Sequence, residues 1–211
     1  MIYILIIAGA YLLGSIPSAV WIGKAVKGVD VREHGSKNAG AANSMRVLGV
    51  KMGIPVLLID VVKGFAAVSL AWLLPAFEAG TNAFVNFQLA LGGAAVLGHM
   101  FPVFAGFRGG KGVATVVGIL FALHWQATLV AIVVFFITLF IFKYVSLGSL
   151  MMGLSYPVSV IFIFQADSIS LKIFSAVVSI LLIITHRSNI SRLWHGKESK
   201  ATFLFKKLTK K

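Results

Sequence analysis

Seven stretches of this sequence run for eleven to twenty-two residues with almost no charge, at about 2–23, 53–74, 84–105, 113–123, 127–142, 146–164 and 170–185. About 20 apolar helical residues cross the hydrocarbon core of a bilayer. With 59% hydrophobic and only 12% charged residues, the chain lacks the polar surface that a soluble domain of 211 residues needs. Glycines scattered through the runs suit packed membrane helices, where small residues let backbones approach. Alternating apolar and polar segments of barrel type are absent, which argues against a β-barrel. The first run is too long for a signal-peptide core and has no basic start, so it reads as a retained span. The expectation is an all-α polytopic membrane helix bundle. It forms a single integral membrane domain over 1–211, with a basic tail over about 187–211.

Charge orients the bundle. Lys24, Lys27, Arg32, Lys37, Arg46 and Lys51 follow the first span, Arg108 and Lys111 the third, and Lys143 the fifth. Arg187, Arg192, Lys197, Lys200, Lys206, Lys207, Lys210 and Lys211 follow the last. That puts seventeen of the nineteen basic residues on one side, while the connections near Glu78, His124 and Asp167 hold none. Positive loops stay cytoplasmic. The amino terminus is then outside and the carboxyl terminus inside, which requires an odd number of crossings. Seven transmembrane helices satisfy this if 113–142 breaks at the polar His124-Trp125-Gln126. One continuous helix there gives six, and the fallback is five spans plus a re-entrant segment. The net charge of +13 is explained by this rule and by anionic lipid headgroups, so membrane lipids are expected partners and nucleic acid is not.

The chain has no cysteine, which excludes disulfides, thiolate nucleophiles and cysteine metal sites. The cytoplasmic connections are unusually rich in small and polar residues. The first reads Gly35-Ser36-Lys37-Asn38-Ala39-Gly40-Ala41-Ala42-Asn43-Ser44-Met45-Arg46. It is either an ordinary flexible loop or a set of phosphate-compatible donors, namely Ser36, Asn38, Asn43 and Arg46. The second, after Gly98-His99, contains Arg108-Gly109-Gly110-Lys111-Gly112 and leads straight into an apolar helix. Backbone N–H groups there would point at an anion, with Lys111 as a point charge. It is not a Walker A loop, because Ala105 and Gly112 stand where that motif needs Gly and Ser or Thr. Ser146 follows Lys143 and reads most simply as a helix cap. His186 and Asn189 share a helical face at i, i+3. Asp60 and Lys63, at the same spacing inside the second span, read as a structural ion pair facing the bundle. These stretches converge on one end of the bundle and suit an anion with few carboxylates to repel it. The clusters of two-metal phosphoryl chemistry are absent, so no metal and no cofactor are expected.

Three motifs together resemble the bacterial acyl-phosphate:glycerol-3-phosphate acyltransferase family. They are Gly35-Ser36-x-Asn38-x-Gly40-Ala41-x-Asn43-x-x-Arg46, then Gly98-His99-x-x-Pro102-Val103-Phe104-x-x-Phe107-x-Gly109-Gly110-Lys111-Gly112-Val113-Ala114-Thr115, and His186-Arg187-x-Asn189-Ile190-x-Arg192-Leu193-x-x-Gly196-x-Glu198. The family usually has Thr where this chain has Ala42. The resemblance implies a seven-helix bundle in the bacterial cytoplasmic (inner) membrane, with its active site facing the cytoplasm. It also implies the reaction: the 1-hydroxyl of glycerol 3-phosphate attacks the acyl carbon of a fatty acyl phosphate. Lysophosphatidic acid and inorganic phosphate result, in the first acylation of phospholipid synthesis. The enzyme that makes acyl phosphate is a further expected partner. On this reading Ser36, Arg46, Lys111 and Ser146 grip phosphate, with the backbone N–H groups of Gly109, Gly110 and Gly112. His186 and Asn189 orient the glycerol hydroxyl, and the base is either His186 or a substrate phosphate oxygen. His99, Asn38 and Asn43 shape the site, and Glu198 ties the tail to the bundle through a basic partner.

Two other classes fit less well. A phosphate-ester transporter should show inverted repeats and polar sites at mid-membrane, and neither is present. An acyl-CoA enzyme of the His-x4-Asp type needs an Asp five positions after a His, and none of His34, His99, His124, His186 or His195 has one.

Overall fold

A computed structural model describes residues 1–74 and 77–204. The tail lysines Lys206, Lys207, Lys210 and Lys211, expected at the lipid headgroups, lie outside the described residues.

The first apolar run is not one helix. Helix α1 (Ile2–Gly14) ends before Ser15, and α2 (Ser18–Lys27) begins after Pro17. Proline lacks an N–H and fixes φ, so it suits a helix start and not a helix interior. The span expected over 2–23 is present as Ile2–Lys27, interrupted at residues 15–17. The break is held by α4 (Val50–Ser69). Lys63 Nζ donates to the Ile16 carbonyl at 2.7 Å, and the Ser18 hydroxyl donates to Asp60 Oδ1 at 2.8 Å. Asp60 and Lys63 pair at 2.9 Å with almost no exposure. The intramembrane pair read from spacing therefore has an identifiable task, which is to satisfy backbone and hydroxyl groups freed where a helix stops inside the bundle.

Between them lies α3 (Ala41–Leu48), a short helix closing the first connection. Then come α5 (Asn82–Met100), α6 (Val113–Leu123) and α7 (Trp125–Phe142). Helices α6 and α7 break at His124, inside the polar triplet where a break was expected. His124 Nδ1 accepts the Ala127 N–H at 3.3 Å, capping α7. Helix α8 (Val145–Val158) runs past Pro157 into a π turn at Ser159–Ile163. Proline removes one backbone bond, and widening of the following turn is a common accommodation. Helix α9 (Ile169–Thr185) bends by 61° into α10 (Arg187–Trp194), with His186 at the elbow.

Among the described residues, five helices are long and apolar enough to cross a membrane when Ile2–Lys27 counts as one. A sixth is reached if the bent α9–α10 pair is one span, and α6 remains a shorter apolar helix.

Glycines set the closest crossings. A Cβ on Gly64 would lie 2.1 Å from the Thr115 carbonyl oxygen, and one on Gly118 would lie 1.9 Å from that of Val61. Helices α4 and α6 thus touch backbone to backbone through one glycine from each. Leu91, Ile119, Val116, Tyr156 and Leu182 fill the interior behind this contact.

Candidate active site

A cavity of about 1050 Å³ lies between α4, α6, α7 and α8. Helix bodies supply apolar walls: Leu57, Leu58 and Val61 from α4, Val113 and Val117 from α6, Ile132, Phe135 and Leu139 from α7, and Met152 from α8. Loops and helix ends supply polar groups. The side chains of Ser36, Asn38, Asn43, Arg46, His99, Lys111, Ser146, His186, Asn189 and Glu198 all line this one cavity, as does Gly112. Gly109 and Gly110 border instead a small adjoining cavity of about 10 Å³ beside Asp60 and Lys63.

Lys111 sits at the end of the glycine loop and donates to Asn189 Oδ1. Asn189 Nδ2 donates to Glu198 Oε1 at 2.6 Å, and the Ser146 hydroxyl donates to the same oxygen at 2.7 Å. Arg192 Nε meets the other carboxylate oxygen at 2.6 Å. Glu198 is therefore the hub of the polar wall. Its carboxyl is pushed up by burial, but the bonds from Asn189, Ser146 and Arg192 outweigh this and hold it below its ordinary value. It reaches this position because Gly196 takes a left-handed turn (φ +65°), folding the chain back so that the Glu198 N–H donates to the Arg192 carbonyl at 3.1 Å. The basic partner expected of Glu198 is Arg192, on the same segment. The bond that crosses to the bundle is the one from Ser146, reinforced by the Ala201 N–H on the Lys143 carbonyl at 2.7 Å.

Ser146 is not the cap of α8. That position is Tyr144, without a side-chain bond, and the Ser146 hydroxyl turns to Glu198.

Lys111 is pushed down to about 8, first by burial and then by the charge of Arg192, with Glu198 pulling the other way. His186 is pushed down to about 4 by burial and then by Lys111. Its Nδ1 lies 2.8 Å from the Leu182 carbonyl. A carbonyl only accepts, so Nδ1 carries the proton and Nε2 keeps its lone pair.

The glycine loop differs from expectation. The Gly109 N–H donates to the Met100 carbonyl at 3.1 Å and the Gly110 N–H to the His99 carbonyl at 3.2 Å. These groups are spent inside the protein and do not point at a ligand. The two glycines are there for close approach: a Cβ on Gly109 would lie 1.9 Å from the His99 carbonyl oxygen, and one on Gly110 would lie 2.4 Å from His99 Nε2. Gly112 differs from both. It is left-handed (φ +81°) and opens α6, which no side chain caps, and Gly112, Val113 and Ala114 line the cavity.

Asn43 is likewise spent. It is 1% exposed, its Oδ1 accepts the Ser36 N–H at 2.8 Å, and its Nδ2 donates to the Val31 and His34 carbonyls. It builds the first loop and has no donor left for a phosphate. His99 is buried with Nδ1 3.0 Å from the Thr115 hydroxyl, bracing the glycine loop from beneath. Arg192 and Asp60 also line the cavity and were not among the expected site residues. Arg192 lay within the third motif and could have been selected by its spacing from Glu198.

The fold and this wall define a polytopic membrane protein with a cationic, hydroxyl- and amide-lined site that opens onto an apolar cavity. The family model described as glycerol-3-phosphate acyltransferase matches residues 4–196. A glycerol-3-phosphate acyltransferase of Fusobacterium nucleatum is 42% identical over 96% of this chain and 100% of its own. One from Listeria monocytogenes is 44% identical over 92% and 94%. The crystal structure of PlsY (YgiH), an integral membrane glycerol 3-phosphate acyltransferase, in its glycerol 3-phosphate form matches with a TM-score of 0.83 at 35% identity, covering 95% of this chain and 96% of that one. Its lysophosphatidic acid form matches with a TM-score of 0.84, over 98% and 100%. The chain belongs to the glycerol-3-phosphate acyltransferase family.

Proposed function

We propose that this enzyme transfers a fatty acyl group from acyl phosphate to the 1-hydroxyl of glycerol 3-phosphate, giving lysophosphatidic acid and inorganic phosphate. The observation that carries the reading is the continuity of a polar wall of phosphate-compatible donors with an apolar cavity of about 1050 Å³. Lys111, Ser36, Arg46 and the first N–H groups of α6 hold phosphate. Asn189 and Ser146 are aligned by Glu198. The donor chain lies along α4 and α7 and reaches the bilayer past Leu58 and Phe136, which line the cavity and stay half-exposed. On this reading the chain crosses seven times, α6 and the α9–α10 elbow included, and the basic connections support an outside amino terminus and a wall at the cytoplasmic surface of the bacterial inner membrane. The enzyme that makes acyl phosphate would deliver the donor there.

In the reaction, the hydroxyl oxygen bonds to the acyl carbon, the bond from that carbon to the phosphate oxygen breaks, and phosphate leaves. Much of the rate comes from holding the two reactants in contact and from fixed donors at the oxygens that gain charge. His186 Nε2 accepts a hydrogen bond from the hydroxyl and aims it. Burial and the neighbouring Lys111 charge disfavour the imidazolium. The proton therefore ends on the departing phosphate.

The test is phosphate release from palmitoyl phosphate by purified protein with and without glycerol 3-phosphate. Release should depend on glycerol 3-phosphate, with lysophosphatidic acid formed in equal amount. Equal turnover of palmitoyl-CoA would overturn the donor assignment.

A pH profile follows from Lys111. Its ammonium is present below about 8 and lost above it, so KM for glycerol 3-phosphate should rise with pH through that value. Lys111→Arg, whose guanidinium does not deprotonate, should remove this limb of the profile. An unchanged limb in Lys111→Arg would show that another group titrates there.

A further inference from the structure

Arg32 is part of none of the three motifs, yet it joins the two loops that carry them. It lies in the short turn Val31–Glu33, just before Gly35 and Ser36. Its Nη1 crosses to the second loop and donates to the carbonyls of Ala105 at 2.7 Å and Arg108 at 3.0 Å. The Arg108 carbonyl belongs to the peptide that leads into Gly109. The rest of the guanidinium is held by Asp30: Nε lies 3.0 Å from Oδ1 and Nη2 lies 2.7 Å from Oδ2. The Arg32 backbone N–H also donates to Oδ1 at 2.9 Å. On the other flank, Asn43 fixes the Val31 carbonyl at 2.8 Å. Both charged side chains are about 15% exposed.

This arrangement uses four of the five N–H groups of the arginine fork. One edge reads two backbone carbonyls and the other reads a carboxylate. A lysine ammonium cannot do both. Asp30 is held below its ordinary value by the hydrogen bonds from Arg32, so the bolt keeps its charges through the working pH range.

We propose that Arg32, oriented by Asp30, is a positioning residue for acyl transfer, setting the separation between the Ser36 loop and the Lys111 loop. It touches no reacting atom and acts through the loop that presents Lys111. The inference rests on the reading of Lys111 as a phosphate grip. Misplacing a group by 1 Å can cost about 100-fold in rate, so a spacer between two grips is under strong demand.

The test is a double-mutant cycle on the full chain, in detergent, with palmitoyl phosphate and glycerol 3-phosphate. Arg32→Lys should lower kcat/KM about tenfold in the wild-type background and less than twofold in Lys111→Met, with an unchanged thermal midpoint. If Arg32→Lys keeps more than half of wild-type turnover, charge alone suffices and the proposal falls. It falls equally if the loss is the same in both backgrounds, since Arg32 would then act elsewhere. If Arg32→Lys does not yield folded protein, Asp30→Asn takes its place in the same cycle, with a smaller loss of about threefold and the same non-additivity. Failure of the underlying reading is seen separately, as absence of glycerol 3-phosphate-dependent phosphate release by the wild type.

Discussion

Replacing Lys111 by Met should lower kcat/KM for glycerol 3-phosphate by about 100- to 1000-fold, the usual effect of removing one fixed donor from a site that stabilises developing charge. Met keeps the length and packing of the side chain, so the loss isolates the ammonium. Lys111 is the cation of the glycine loop, and it is held at the cavity by its bond to Asn189. A phosphate arriving there would take over a donor that is now shared with an amide. Because the ammonium is partly desolvated, its contribution exceeds that of a surface lysine. The wall would also change as a unit, since Asn189 would lose a partner that orients its carbonyl. A kcat/KM for glycerol 3-phosphate above a tenth of wild type in Lys111→Met would overturn the assignment.

The second large effect is on folding. Gly118→Val should destabilise the bundle by about 3 kcal/mol, a fall of roughly 10 °C in the thermal midpoint for a chain of this size. The added Cβ would overlap the Val61 carbonyl at 1.9 Å and the Phe65 nitrogen at 2.8 Å. Those are backbone atoms of α4, so no side chain can rotate away. Helices α4 and α6 would have to separate, and both line the cavity. Gly93→Ala is the matched control, because a Cβ there meets nothing within 4 Å. Thermal melting of the three proteins in one detergent checks this. Equal midpoints for all three would show that the crossing is not close-packed in the native protein.

The polar break at 124 is readable from residue order, because it depends on local chemistry. His124 could be anticipated as a break since a polar triplet in an apolar run needs a partner or an end. The interruption at 15–17 was missed. Ile16 and Pro17 are both apolar, and hydropathy does not register a missing N–H. The site shows the same division. Glycines beside Lys111 signalled a loop with close backbone approach, and the structure has that. What a single loop cannot show is which groups are already taken. The N–H groups of Gly109 and Gly110 are claimed by the carbonyls that end α5, and Asn43 is claimed by its own loop. Both claims depend on the three-dimensional path. Glu198 was read as a tether, and its place at the centre of the wall depends on the turn at Gly196.

The arrangement around Pro17 also bears on the order in which the helices come together. Asp60 and Lys63 are one turn apart on α4, so they can neutralise one another as soon as that helix forms. The Ile16 carbonyl accepts the Ser18 N–H locally at 3.1 Å, and α4 adds a second donor. Its side-chain donor arrives only with α4, and Asp60 is likewise what the Ser18 hydroxyl meets. The break in the first span is thus part-satisfied by its own turn and completed by the second span. A polar contact inside the membrane therefore joins the segment synthesised first to the one synthesised next.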